Sequence, residues 1–157
     1  MFQSDEQYSA ARYAMVRDQL MKKGIRDKRV LDVMGRVPRH LFVLPQDREN
    51  AYEDYPIPIG YGQTISQPYM VAFMAEQLHI QSTDTILEVG TGSGYNAAIM
   101  AELAATVHTL EVVKELYDRT SKTLHDLNYN NVVCYLRNGF EGLTSHAPYD
   151  KIVLTAA

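Results

Sequence analysis

The stretch Thr85-Ile86-Leu87-Glu88-Val89-Gly90-Thr91-Gly92-Ser93-Gly94-Tyr95 runs from five mostly apolar residues into three glycines at alternate positions. A small-residue, alanine-rich segment follows, from Tyr95 to Leu103. The pattern reads as strand, tight turn and helix. Glycine permits such a turn and lets a ligand come close to the main chain. A helix that starts just after the turn aims free N–H groups at whatever sits above it. In an open α/β sheet, ligands bind beyond the carboxyl ends of the strands.

The alternation continues downstream. Val107 to Leu110 reads as a second strand, and Val113 to Leu127 as a helix with Val113, Leu116, Leu124 and Leu127 on its apolar face. Val132 to Leu136 reads as a third strand and Ile152-Val153-Leu154 as a fourth. Strands alternating with helices of this length predict right-handed crossovers and a mostly parallel sheet with helices on both faces. Upstream, Val71, Met74, Ala75 and Leu78 mark a helix opened near Gln67-Pro68.

The first 67 residues differ in character. Tyr8, Ala11, Met15, Val16 and Leu20 recur at helical spacing, and Gly24 stands where a helix ends. Asp27 is placed to cap a second short helix that carries Val30, Leu31 and Met34 and ends at Pro38. Tyr55-Pro56-Ile57-Pro58-Ile59-Gly60-Tyr61-Gly62 fits neither a helix nor a central strand, and is expected to be an ordered apolar loop. The expected organisation is a helical and loop segment over 1–67, contributing to a substrate site, and a partial ligand-binding α/β unit over 68–157.

Bulk properties narrow the function. The 157 residues suit one domain, with 46% apolar and 22% charged residues. A net charge of −4 and a pI near 5.7 argue against a nucleic-acid partner. The lone Cys134 lies in a strand-like run and reads as a small buried apolar residue, which suits a reducing cytoplasm. No apolar run is long enough to span a bilayer, so no membrane partner is expected. Met1 to Glu6 has no basic start, so no ordinary secretory signal is expected. His40, His79, His108, His125 and His146 show no metal-ligand spacing, and no metal is expected.

The acids around the glycine turn select its ligand. Glu111 ends the second strand, 21 residues beyond Gly90, where a carboxylate holds ribose hydroxyls. The glycines follow G-x-G-x-G rather than the G-x-G-x-x-G that accommodates a pyrophosphate. Glu88, two residues before the first glycine, is a poor neighbour for pyrophosphate and a good one for a ligand with ammonium and sulfonium charges. The plainer reading makes Glu88 a structural hydrogen-bond acceptor. The pattern resembles motif I of class I, Rossmann-type methyltransferases that use S-adenosyl-L-methionine.

A second segment narrows the resemblance. Gly62-Gln63-Thr64-Ile65-Ser66-Gln67-Pro68 resembles the signature of the protein-L-isoaspartate O-methyltransferase family. Val37-Pro38-Arg39-His40-Leu41-Phe42-Val43, Ala51-Tyr52, Asn138-Gly139 and Tyr149 to Ala157 resemble further segments of that family, in its order. The resemblance implies methyl transfer to the free carboxylate of L-isoaspartyl residues in damaged proteins, the first step of their repair. It implies cofactor contacts from Gln63, Thr64, Ile65, Ser66, Glu88, Gly90, Thr91, Gly92, Ser93, Gly94, Glu111, Val112, Asn138 and Gly139. It places Ser66 at the family's active-site serine, orienting the substrate carboxylate; plain capping of the next helix is the alternative. A carboxylate is already ionised near neutral pH and needs no general base. Two departures stand out. Asn138 replaces the aspartate expected to meet the adenine amino group. The family also continues through further strands, so the C-terminal strands are expected to be missing here, with an exposed edge open to dimerisation. The rival readings are a class I methyltransferase with another substrate, a non-catalytic cofactor-binding module and, more distantly, a nucleotide-sugar or NAD enzyme.

Overall fold

The computed structural model describes residues 6–155. The opening Met1 to Asp5 and the closing Ala156-Ala157, both used in the sequence reading, lie outside them. Helix α1 (Glu6–Ala14) runs into a π-helical stretch, Met15–Leu20. Gly24 follows with φ of 103°, a left-handed geometry that suits glycine after a helix end. Helix α2 (Lys28–Arg36) is capped as its sequence implies: the Asp27 carboxylate accepts from Arg29 N at 2.8 Å.

The apolar Pro/Gly stretch is not a loop. Ile57–Gly60 forms β1, which pairs antiparallel with β2 (Gln63–Ile65) in a two-stranded ribbon. Tyr61 and Gly62 make the turn with φ of 56° and 71°, the positive pair that a two-residue hairpin needs. Pro58 is tolerated because a two-stranded ribbon consists only of edges. Ile57, Ile59 and Ile65 point into the core.

Helix α3 (Pro68–Gln77) starts with proline at its first turn. The α/β unit is then β3 (Thr85–Val89), α4 (Tyr95–Ala101), β4 (Thr106–Glu111), α5 (Lys114–Asp126), β5 (Val132–Leu136) and β6 (Lys151–Leu154). The sheet order is β5-β4-β3-β6, with every pair parallel. This is the α/β architecture the alternation predicts. The two faces are covered unequally. Ile86, Val107 and Val153 join one large core with the helices, whereas Leu87 and Leu110 join a small cluster closed by Leu143 and Tyr149. Beyond β6 no described strand pairs, and Ile152 and Leu154 on it are exposed. Cys134 packs partly buried against the main core, and burial pushes its thiol pKa up.

Every residue of α4 is buried, which explains its alanines. The helix is wedged between β4 and β5 on one side and α2 and α3 on the other. Close approach also governs the glycine before it. Gly94 has φ of +84°, and a Cβ there would lie 2.6 Å from Thr120 Cγ2. Gly24 has a similar φ but open space around it. Gly94→Ala is expected to cost about 2–4 kcal/mol in a denaturant melt, and Gly24→Ala only about 1 kcal/mol.

Candidate active site

The carboxyl ends of β3 and β4 open into a cavity of about 690 Å³. One wall is the glycine turn and the end of β4; another is the hairpin strand β2 and Ser66. The element that joins them is the Glu111 carboxylate. One oxygen accepts from Gly92 N at 2.8 Å, and the other from Val112 N and Val113 N at 2.9 Å each. A carboxylate has about four lone-pair sites, so it can still accept from a ligand hydroxyl. Glu111 is 6% exposed and lines the cavity.

The turn itself is closed on its own backbone. Gly90 N and Thr91 N donate to Leu110 O at 2.9 and 3.0 Å, and Gly94 N donates to Thr91 O at 2.8 Å. Tyr95 N donates to Ser93 Oγ at 3.2 Å. The expected row of free N–H groups is therefore largely spent inside the protein. What the turn offers a ligand is close approach and the carboxylate of Glu111, which suits a hydroxyl-bearing or cationic group rather than a pyrophosphate.

The two acids prove different. Glu88 does not line the cavity. It is fully buried beneath the turn, where Asn96 Nδ2 donates to one oxygen at 2.8 Å and Thr109 Oγ1 to the other at 2.6 Å. Thr91 Oγ1 lies 2.7 Å from Thr109 Oγ1 and extends the network into the turn. The expectation that Glu88 borders a ligand is thus corrected: strand alternation turns its side chain to the helix-covered face, away from the cavity. Burial pushes its pKa up to about 7, against the pull of Thr109 and Asn96. Gly94 does not line the cavity either; its place is set by contact with α5.

The other expected site residues come together. Gln63, Thr64, Ile65, Ser66, Gly90, Thr91, Gly92, Ser93, Glu111, Val112, Asn138 and Gly139 all line the cavity. The Ser66 hydroxyl makes no hydrogen bond to any described residue, and the cap of α3 is Gln67, without a side-chain bond. The helix-capping alternative for Ser66 fails. Asp54 serves that end instead, accepting from Tyr69 N at 3.1 Å and Gln67 Nε2 at 3.0 Å while pairing with Lys23. Asn138 Oδ1 already accepts from Phe140 N at 3.0 Å, which leaves its amide group partly engaged. Gly139 is forced by packing, since a Cβ there would lie 2.2 Å from Val89 Cγ1.

Sequence reasoning missed Tyr95, Phe140 and Thr155 on the cavity wall. Thr155 Oγ1 donates to Gly90 O at 2.6 Å and pins the turn from the far end of the chain. Phe140 is fully exposed at the rim. Thr155 lies in the Tyr149–Ala157 segment that resembles the family, but no local pattern marks it or Phe140 as part of the wall.

The geometry agrees with the relatives. The sequence model of the protein-L-isoaspartate(D-aspartate) O-methyltransferase family matches residues 11–157. The chain belongs to this family. A protein-L-isoaspartate O-methyltransferase of Synechococcus sp. is 51% identical over 98% of the chain, and one of Roseiflexus sp. is 48% identical over 96%. The chain spans 63% of the first relative's length and 68% of the second's. A solved protein-L-isoaspartate O-methyltransferase structure superposes with a TM-score of 0.79 at 25% identity, covering 97% of this chain and 48% of that one. A Plasmodium falciparum structure in complex with S-adenosyl-L-homocysteine shares the fold, with a TM-score of 0.78 at 24% identity, covering 92% of this chain and 73% of that one.

The buried acid gives a pH test. Glu88 ionises near 4.5 when unperturbed but near 7 in the fold. Between these values the unfolded chain releases a proton that the folded chain keeps, so the contribution of Glu88 to stability is full below about 4.5 and lost as pH rises through about 7. The Tm of Glu88→Gln minus that of wild type is expected to rise from pH 5 to pH 8. Parallel Tm curves would show that Glu88 does not titrate there.

Proposed function

We propose that the protein methylates the free carboxylate of L-isoaspartyl residues in damaged proteins, using S-adenosyl-L-methionine, and so initiates their repair. The observation that carries this reading is the single cavity shared by the Glu111-tied glycine turn and the unbonded Ser66 hydroxyl.

The cavity suits the cofactor on its own features. Glu111 retains acceptor capacity for ribose hydroxyls, and Val112 and Leu110 supply apolar wall beside it. Asn138 and Gly139 stand at the same rim, with the amide of Asn138 free to meet the adenine edge through its remaining valences. Gly90 and Gly92 would let the ligand approach closely, while most N–H groups of the turn are already bonded within the protein, which disfavours a phosphate. When bound, S-adenosyl-L-methionine supplies an electrophilic methyl carbon. Everything else falls to the chain.

Ser66 is placed to donate its hydroxyl hydrogen to a substrate carboxylate and hold one oxygen in line. The ionisable residues on the described wall are Tyr95, Glu111 and Arg137. That set contains no evident general base, and a carboxylate nucleophile needs none because it is ionised near neutral pH. Catalysis then rests on alignment and on exclusion of water by the mostly apolar wall. Membership of the family, whose signature Gln63 to Ser66 resemble, is what favours an isoaspartyl substrate over another acceptor.

Two experiments test the reading. In a radiolabelled methyl-transfer assay, the isoaspartyl peptide is expected to be methylated and its aspartyl twin not; equal labelling of both sinks the substrate assignment. Ser66→Ala is expected to lower kcat/KM by about 10–100-fold, the loss of one hydrogen bond to a charged group. In calorimetry, Glu111→Gln is expected to weaken cofactor binding at least about tenfold, because an amide N–H₂ would face the backbone donors that now meet an oxygen. Unchanged affinity would remove Glu111 from the cofactor site.

A further inference from the structure

Arg39 is the largest fully buried side chain among the described residues. It reaches two backbone carbonyls at once. Its Nε donates to Ala51 O at 2.6 Å and its Nη2 donates to Ser66 O at 2.8 Å. Its Nη1 has no hydrogen-bond acceptor among the described residues. The guanidinium carbon lies 4.8 Å from the centre of the Tyr95 ring, a cation–π distance. No carboxylate forms an ion pair with it among the described residues; the charge is met by two carbonyl dipoles and the Tyr95 side chain, with the Asp54 carboxylate also favouring it from farther off. Removing such partners from a buried cation is costly, so its contacts constrain the groups they reach.

The partners say what it serves. Ser66 carries the hydroxyl that faces the cavity, and Tyr95 is the first residue of α4, directly after the glycine turn. Ala51 belongs to the N-terminal segment. Arg39 therefore joins the substrate wall, the cofactor wall and the N-terminal segment at one planar group. Asp54 fixes the same passage one and three residues further on, at Gln67 and Tyr69. Ser66 thus sits between two charged clasps from the N-terminal segment, one cationic on its own carbonyl and one anionic just beyond.

We propose that Arg39 is a positioning residue: its guanidinium fork fixes the Ser66 backbone relative to the start of α4, and so aims the Ser66 hydroxyl at the substrate carboxylate. The inference rests on the methyltransferase reading and adds to it a residue that touches neither substrate nor cofactor. Burial lowers the pKa of the guanidinium to about 10, which still leaves it cationic at neutral pH. The fork is essential, because a single ammonium on a shorter head cannot span both carbonyls.

The test uses Arg39→Lys and Arg39→Gln beside the wild-type protein. Three quantities are read: affinity for S-adenosyl-L-homocysteine, affinity of the loaded protein for an isoaspartyl peptide, and amide hydrogen exchange over residues 63–67. Both variants are expected to exchange faster over 63–67 and to lose more affinity for the peptide, about tenfold, than for S-adenosyl-L-homocysteine, about threefold at most, because the glycine turn and Glu111 also line the cofactor's side of the cavity. Lysine does not rescue. Full peptide affinity in Arg39→Lys overturns the proposal, because charge alone then suffices. Equal losses of peptide and cofactor affinity, or failure of both variants to fold, also overturn it and make Arg39 a structural cation. Wild-type protein that binds S-adenosyl-L-homocysteine but no isoaspartyl peptide overturns the substrate reading itself, a result distinct from wild-type binding matched by the lysine variant.

Discussion

The Glu111 carboxylate accepts from three backbone N–H groups, at Gly92, Val112 and Val113. A carboxylate buried to this degree needs such donors, since an unpaired one would be strongly disfavoured. The donors come from two different crossings of the sheet, so meeting that need also ties the turn after β3 to the end of β4. The knot adds to the bonds from Gly90 N and Thr91 N to Leu110 O and from Thr155 Oγ1 to Gly90 O, and it fixes the tip of the turn, at Gly92, against the end of β4.

Beneath the same turn lies a second network with a different purpose. Glu88, Thr109, Asn96 and Thr91 satisfy one another out of solvent. The raised pKa of Glu88 marks burial rather than catalysis. Perturbed titration often signals a functional site, but structural networks perturb it as well. Here the two acids of the motif divide the work: Glu111 faces the cavity and Glu88 lies buried beneath the turn.

The opposite wall is assembled from the part of the chain with the least regular structure. A two-stranded ribbon has little stability by itself. Its apolar isoleucines are buried in the common core, and the passage that follows it is clasped by Arg39 and Asp54. Rigid placement of Ser66 therefore depends on residues that precede it by more than ten positions. Under the proposed function this support would align a substrate oxygen, where small misplacements are expensive in rate.

By itself, the sequence determined the strand–turn–helix unit, the parallel sheet implied by alternation, the Asp27 cap, the proline start of α3 and, on the cavity wall, the glycine turn with Glu111. These follow from local rules: periodicity, glycine geometry and spacing along adjacent strands act within about 20 residues. Tertiary structure alone decided that Glu88 turns inward, that Tyr55 to Gly62 includes a strand, that Asp54 rather than Ser66 serves the start of α3, and that Arg39 grips Ser66 O. The ribbon strand pairs with residues only a few positions on, and Glu88 turns inward by strand alternation once the helices fix which face of the sheet is covered. Asp54 and Arg39 reach their partners across 13 to 27 residues; such partners are set by the packing of elements far apart in sequence, and no local pattern records them.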